Sequence, residues 1–197
     1  ALSRLKHIDP LPAATVPVSR QALVVGGGIA GLHAALAVAD HGYPVDLVER
    51  GDMLGGNLHW LSSTIGGEPT ASLLADTVER VEKHPRITIH RETKITTAFG
   101  DVGSFFTTLE NSAKEITTVA HGVAILATGG HEASTESYRY GQSKTIITQK
   151  ELEIRLKGEA VKAQPPESVV MIQCVDSRQE PRNYCSRVCC PTALKHA

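Results

Sequence analysis

Four cysteines stand near the end of this 197-residue chain, in "IQCVDSRQEPRNYCSRVCC", after 173 residues without one. Cys174, Cys185, Cys189 and Cys190 follow the spacing C-x10-C-x3-C-C. Zinc sites usually present paired C-x2-C knuckles, and two adjacent cysteines do not easily reach one small tetrahedral ion. A cubane is larger. Its iron corners accept thiolates arriving from neighbouring residues, and soft thiolates suit iron–sulfur clusters. Arg178, Arg182 and Arg187 surround the loop, and Pro191 fits the first turn of a helix just beyond it. Both features favour thiolates and an anionic cluster. The spacing alone leaves a core thiol at Cys174, a vicinal disulfide at Cys189–Cys190, and zinc open beside the cluster.

A second set of residues lies near the front. Gly26, Gly28 and Gly31 form G-x-G-x-x-G inside "VVGGGIAGL". In such a turn the first glycine allows the tight bend, the second lets pyrophosphate approach the backbone, and the third lets helix and sheet pack closely. Ile29 and Ala30, between the second and third glycines, add free N–H groups at a helix N-terminus, where the dipole favours phosphate. Glu49, with Arg50 beside it, follows Gly31 by 18 residues. A carboxylate there binds ribose hydroxyls. No Ser/His/Asp arrangement and no paired carboxylates stand out, so no catalytic residue is assigned. The nine histidines are scattered without metal spacing. His59 and Trp60 read as packing or surface residues.

The elements that must position these groups read as an α/β fold. Ala22–Val25 is a short apolar run suited to a buried strand. Ile29, Leu32 and Leu36 give one helical face over Ile29–Asp40, with Gly42 as its stop. Val45–Val48 is the second strand. Helical spacing returns from Glu68 to His84, ended by Pro85. "RITIH" reads as a third parallel strand. Residues 93–120 alternate as an antiparallel excursion with turns near Gly103 and Asn111. "GVAILATGG" is another buried strand. Thr148 and Glu151 form a capping box opening a short helix. Pro165–Pro166 is a linker, and a further strand is expected over 168–172.

Composition bounds the rest. With a net charge of −1, the chain has no broad basic surface for nucleic acid or anionic membrane. No apolar run approaches the ~20 residues that span a bilayer. The opening stretch has no apolar signal core. Clustered thiols without a secretory signal point to a reducing cytoplasm. The chain starts with Ala and stops soon after the cysteines, which reads as a segment of a longer protein.

The stretch "VVGGGIAGLHAALAVADHGYPVDLVERGDMLGGNL" resembles the FAD-binding segment of the two-dinucleotide-binding flavoproteins. The resemblance implies that Gly55 and Gly56 continue the phosphate contact and that Ile95 lies toward the adenine. "ILATGG" is similar to that family's later motif, where Ala127, Thr128 and Gly129 pass near the nucleotide. "SVVMIQCVDSRQEPRNYCSRVCCPTALKHA" resembles the family of heterodisulfide reductase A-type flavoproteins, which has Q-C-V-G-S-R followed by Y-C-S-R-V-C-C. "VPVSRQALVVGGGIAGLHAAL" and "TIITQKELE" are similar to it as well. This implies FAD and a [4Fe-4S] cluster on Cys174, Cys185, Cys189 and Cys190. Asp176 stands where that family usually has glycine. The family's cysteine-bearing stretch after the first flavin motif is absent, as are its ferredoxin-like modules. The expected fold is a Rossmann-like FAD/NAD(P)-binding three-layer domain with a truncated second domain. Residues 1–19 would be an extended lead-in and 20–133 the FAD-binding domain. Residues 134–166 would be a connector with a short helix, and 167–197 the start of a second Rossmann-like unit carrying the cysteines.

In this resemblance the cysteine loop replaces the second glycine triplet that would hold NAD(P)H. The expected function is electron transfer between FAD and the cluster, in the cytoplasm, together with the other subunits of a redox complex. Self-association is compatible with it, and no membrane insertion or nucleic acid is expected. Two alternatives stand: a FAD-dependent disulfide oxidoreductase cycling a cysteine pair, and a docking fragment without cofactor.

Overall fold

The computed structural model describes residues 15–158 and 166–197. Most of the lead-in and the end of the connector, including Pro165, lie outside the described residues. Strand β1, Ala22–Val25, leads through the glycine turn into helix α1, Ile29–Asp40, and then strand β2, Val45–Val48. A 3-10 turn, Gly56–His59, precedes helix α2, Thr70–Lys83, and strand β3, Ile87–His90. Strands β4, Lys94–Asp101, β5, Ser104–Glu110, and β6, Ile116–His121, follow before strand β7, Val123–Leu126. A 3-10 turn at Ser137–Arg139 leads to helix α3, Gln149–Lys157, and helix α4, Cys189–His196, carries two of the cysteines.

The parallel sheet has the order β3-β2-β1-β7, so β1 pairs with both β2 and β7. The strands β4-β5-β6 form a separate antiparallel sheet. Side chains alternate along β1, and each face has its own cover. Ala22 and Val24 pack with Leu32, Leu36, Val45, Leu47 and Val81 beneath the helices. Leu23, Val25 and Val48 pack with Leu109 and Val119 of the antiparallel sheet. The result is helices, parallel sheet and antiparallel sheet in three layers, as the sequence predicts.

Asp46 lies on the sheet-facing side of β2 and is buried. It accepts the Gln21 amide and sits 2.7 Å from His90 Nε2, which satisfies a charge otherwise costly to bury. Among the described residues no helix is long and apolar enough to cross a membrane.

Leu32 is fully buried between α1 and the sheet. Leu32→Ala should destabilise the domain by about 2–5 kcal/mol, because the packed site cannot fully collapse onto the cavity. Urea unfolding of the two proteins measures this as a lower midpoint at unchanged slope.

One expected element is missing. Residues 168–172 form no strand. Val170 is 85% exposed, and Val169 and Ile172 are exposed beside it. A strand needs a neighbour to take its backbone hydrogen bonds, and among the described residues none pairs with this run. Its β-branched residues supply local propensity but no partner.

Candidate functional site

The glycine turn is held by close backbone approach. A Cβ on Gly26 would stand 2.3 Å from the Ala127 carbonyl oxygen and 3.2 Å from the Thr128 Cα. Ala127 N–H donates to the Val25 carbonyl at 2.8 Å, so the segment Ala127–Gly129 lies directly against the turn. A Cβ on Gly31 would stand 1.7 Å from the Gly26 carbonyl oxygen. Gly28 is different: a Cβ there would meet nothing within 4 Å. The space over Gly28 is open, which is where a diphosphate would need room.

The first bond of α1 runs from Leu32 N–H to the Gly28 carbonyl at 2.9 Å. The amides of Ile29, Ala30 and Gly31 precede it, and among the described residues no side chain caps the helix. Three donors at the positive end of the helix are thus left for an anion. Gly55 and Gly56 lie across the same turn. Gly55 N–H donates to the Gly27 carbonyl at 2.7 Å, and a Cβ on Gly56 would come within 3.1 Å of the Gly28 Cα.

Glu49 directly follows β2, beside these groups. Gly27 N–H donates to its Oε2 and Gly51 N–H to its Oε1, each at 2.7 Å. A carboxylate has about four lone-pair sites, so each oxygen keeps capacity for a hydroxyl. Arg50 Nη2 lies 2.7 Å from His131 Nε2, just past Gly129. Thr93 N–H donates to the Glu49 carbonyl at 3.0 Å. Ile95 is two residues further on, opposite Leu109 and partly exposed. The donors, the open cradle and the carboxylate fit a dinucleotide. His59 instead places Nε2 2.8 Å from the Leu54 carbonyl, and Trp60 donates to Asn57 Oδ1 at 3.2 Å, so both are structural.

Two of the cysteine segments meet at the start of α3. Gln149 Nε2 donates to Gln173 Oε1 and to the Cys189 carbonyl, each at 3.1 Å. One amide therefore ties the neighbour of Cys174 to the helix bearing Cys189 and Cys190. Arg187 N–H donates to Cys185 Sγ at 3.4 Å, and Ser186 Oγ lies 3.6 Å from Cys189 Sγ. All four thiols are free and exposed. Exposure of Cys174 argues against a core thiol there, and the free pair at Cys189–Cys190 is no disulfide. Among the described residues no three His, Cys, Asp or Glu side chains converge closely enough to hold a metal ion. The donor chemistry of four free thiols suits an iron–sulfur cluster, while the sulfurs do not converge about one point. Tyr184, beside Cys185, is 69% exposed. Asp176 does not pair with Arg178; it takes the Thr135 and Ser137 hydroxyls, which hold its carboxyl below the usual range, with Arg182 adding to the effect.

Sequence reasoning missed the group that fastens this region. Glu153, the buried residue of α3, is 1% exposed. Ser62 N–H and Oγ donate to its Oε1 at 2.8 and 2.5 Å. Lys195 Nζ and His196 Nε2 reach its Oε2, both at 2.5 Å. Lys195 also donates to the Ser63 carbonyl at 3.1 Å. Burial would raise this carboxyl, but the hydrogen bonds from Lys195, Ser62 and His196 together bring it down to about 2. The capping box at Thr148–Glu151, which was legible, sets the start of this helix. Nothing local marks Glu153 as its inward residue.

Residues 20–172 match the pyridine nucleotide-disulphide oxidoreductase family. Among curated proteins, the chain is 24% identical over its whole length to the A-type subunit of the ferredoxin:CoB-CoM heterodisulfide reductase of Methanosarcina mazei, covering 36% of that protein. It is 25% identical, again over its whole length, to the A-type iron-sulfur subunit of the CoB–CoM heterodisulfide reductase of Methanocaldococcus jannaschii, covering 44% of it. A heterodisulfide reductase A-like protein of Archaeoglobus profundus is 36% identical over 53% of this chain and 15% of its own. The chain thus spans less than half the length of these relatives. Among solved structures, L-proline dehydrogenase from P. horikoshii has the same fold over 61% of this chain and 24% of its own, with a TM-score of 0.52 at 21% identity. The glycine turn, the parallel sheet and the match over most of the sequence agree: this chain belongs to the pyridine nucleotide-disulphide oxidoreductase family of redox enzymes.

Proposed function

We propose that this chain is the electron-transfer segment of a heterodisulfide reductase A-like protein, carrying FAD at the β1–α1–β2 crossover and a [4Fe-4S] cluster on Cys174, Cys185, Cys189 and Cys190. The observation that carries the proposal is an uncapped helix N-terminus under an open Gly28, together with four free thiols on segments of which two, at Gln173 and Cys189, are bridged by Gln149. When bound, FAD accepts an electron pair and releases electrons singly, and the cluster handles one at a time.

The chain's own residues have definable tasks in this reading. The amides of Ile29, Ala30 and Gly31 neutralise the diphosphate, with Gly26 and Gly28 giving it access to the backbone. Glu49 accepts ribose hydroxyls, and Arg50 borders the same end of the site. Gly55 and Gly56 supply backbone at the second side. Ala127, Thr128 and Gly129 close the cradle above Gly26, and Ile95 lies toward the adenine. The four cysteines act as thiolate ligands. The division at about residues 133 and 166 separates the FAD unit from the cysteine-bearing unit. The setting is a cytoplasmic complex with other redox subunits, a reading supported by relatives that are themselves named as subunits of heterodisulfide reductases.

The test is anaerobic purification of the full-length protein that contains this sequence. Released flavin identified as FAD, and loss of about four irons per chain on Cys185→Ser with flavin retained, is the expected result. Unchanged iron in that variant would remove the cluster from these cysteines. A protein with flavin but background iron, and a thiol pair that titrates reversibly, would favour the dithiol oxidoreductase instead.

A further inference from the structure

Cys174 sits in a turn with an unusual backbone. Ser177 N–H donates to the Cys174 carbonyl at 3.2 Å, which closes Cys174-Val175-Asp176-Ser177. Asp176 is the third residue of this turn and has φ +49°, while Cys174 and Arg178 are also left-handed. A turn with positive φ at its third position favours glycine. Glycine is the residue that the resembling family usually has there, so the structure supplies a reason for it. Aspartate accepts the left-handed region better than most residues, but it still costs more there than glycine.

The carboxylate offsets that cost. Thr135 Oγ1 donates to Asp176 Oδ2 at 2.5 Å, and Ser137 Oγ donates to Oδ1 at 2.8 Å. Ser137 N–H in turn donates to Thr135 Oγ1 at 3.0 Å. Both hydroxyls belong to the chain that runs on from Ala127–Gly129, the segment lying against the glycine turn. Ser137, Tyr138, Gln173, Cys174, Asp176 and Gln179 line a cavity of about 350 Å3 at this junction.

We propose that Asp176 is a positioning residue: it latches the Cys174 turn to Thr135 and Ser137 and so fixes the position of Cys174 against the connector that leads out of the nucleotide-binding unit. Its role as the positioner of a cluster ligand rests on the function proposed above. A left-handed aspartate with both oxygens engaged does what a family glycine cannot, since glycine fits the turn without tying it to anything.

The experiment compares wild type, Asp176→Gly, Asp176→Asn and Thr135→Val/Ser137→Ala in the full-length protein. In iron-free protein, amide hydrogen exchange is followed by mass spectrometry, because the exposed Cys174 thiol would be labelled freely in every variant. Loss of two hydrogen bonds to a carboxylate should speed exchange of the Ser177 amide, which closes the turn on the Cys174 carbonyl, about tenfold in Asp176→Gly and in the double variant. Asp176→Asn, which keeps one acceptor oxygen, should recover part of the protection, and the amides of β1 and β2 should be unaffected in all three. In iron-loaded, reduced protein the EPR spectrum of Asp176→Gly should shift while that of Asp176→Asn stays closer to wild type. Exchange at Ser177 within twofold of wild type in Asp176→Gly overturns the proposal. If wild type takes up no iron but the exchange differences hold, the latch stands and the cluster assignment falls.

Discussion

Replacing Glu153 by alanine is expected to unfasten the helix that carries Cys189 and Cys190, with a loss of about 3–5 kcal/mol. The loss is large because one carboxylate serves four donors, two on each oxygen. They come from the loop after the 3-10 turn at Gly56–His59 and from the last turn of α4. Alanine would leave the Lys195 ammonium, 10% exposed, and the His196 ring, 1% exposed, without their acceptor. Truncating one partner of a buried pair leaves an uncompensated charge, which is worse than never having formed the pair. His196 has no slack to absorb the change, since its Nδ1 is already buried with no partner among the described residues. Hydrogen exchange is the direct measurement. The amides of residues 189–197 should exchange much faster in Glu153→Ala, while those of β1 and β2 keep their protection.

The same carboxylate fixes a pH dependence. Its folded-state pKa is lowered from 4.5 to about 2. A carboxylate lowered on folding contributes stability that is fully present above its unfolded value and is lost as pH falls through its folded value. The attachment of α4 should therefore hold above about pH 5 and weaken progressively from there toward pH 2. Glu153→Gln should flatten that part of the profile.

The contrast between these residues and the glycine turn shows what a sequence makes legible. The turn, β1, α1 and β2 occupy one continuous stretch, and each depends on residues within a few positions of itself. Gly26 and Gly31 are required by backbone contacts inside that stretch or, through Ala127, by a second glycine-marked segment. The antiparallel strands could be read because alternation and turn residues are also local. Glu153 could not. Its donors lie 91 residues upstream at Ser62 and 42 and 43 residues downstream at Lys195 and His196, and in "QKELEIRLK" it looks like one more solvated charge. The run 168–172 failed in the opposite sense: its residues have strand propensity, but propensity without a neighbouring strand makes no sheet. Asp176 lies between these cases. Its departure from a glycine was visible, and what the aspartate gained in exchange required Thr135 and Ser137 in space.

Gly28→Ala should strongly weaken nucleotide binding while leaving the fold intact, and this separates it from its neighbour in the same motif. Gly28 has φ −74° and extended ψ, a conformation open to alanine, and its added Cβ would meet nothing within 4 Å. Alanine is a poorer helix cap than glycine, so a modest loss of about 1 kcal/mol or less is expected in stability. The methyl group would fill the open space above the Ile29, Ala30 and Gly31 amides. A diphosphate that must touch those amides would lose both its approach and its hydrogen bonds. Affinity for FAD should fall at least a hundredfold, equivalent to about 2.8 kcal/mol. Gly31→Ala acts on the fold itself, because its Cβ would stand 1.7 Å from the Gly26 carbonyl oxygen and 2.9 Å from that carbonyl carbon. Neither atom belongs to a side chain that can rotate away. Fluorescence titration with FAD, with circular dichroism on the same samples, distinguishes the two outcomes. A folded Gly28→Ala protein that binds FAD as wild type does would mean that the phosphates pass elsewhere, and the open cradle would then have no part in binding.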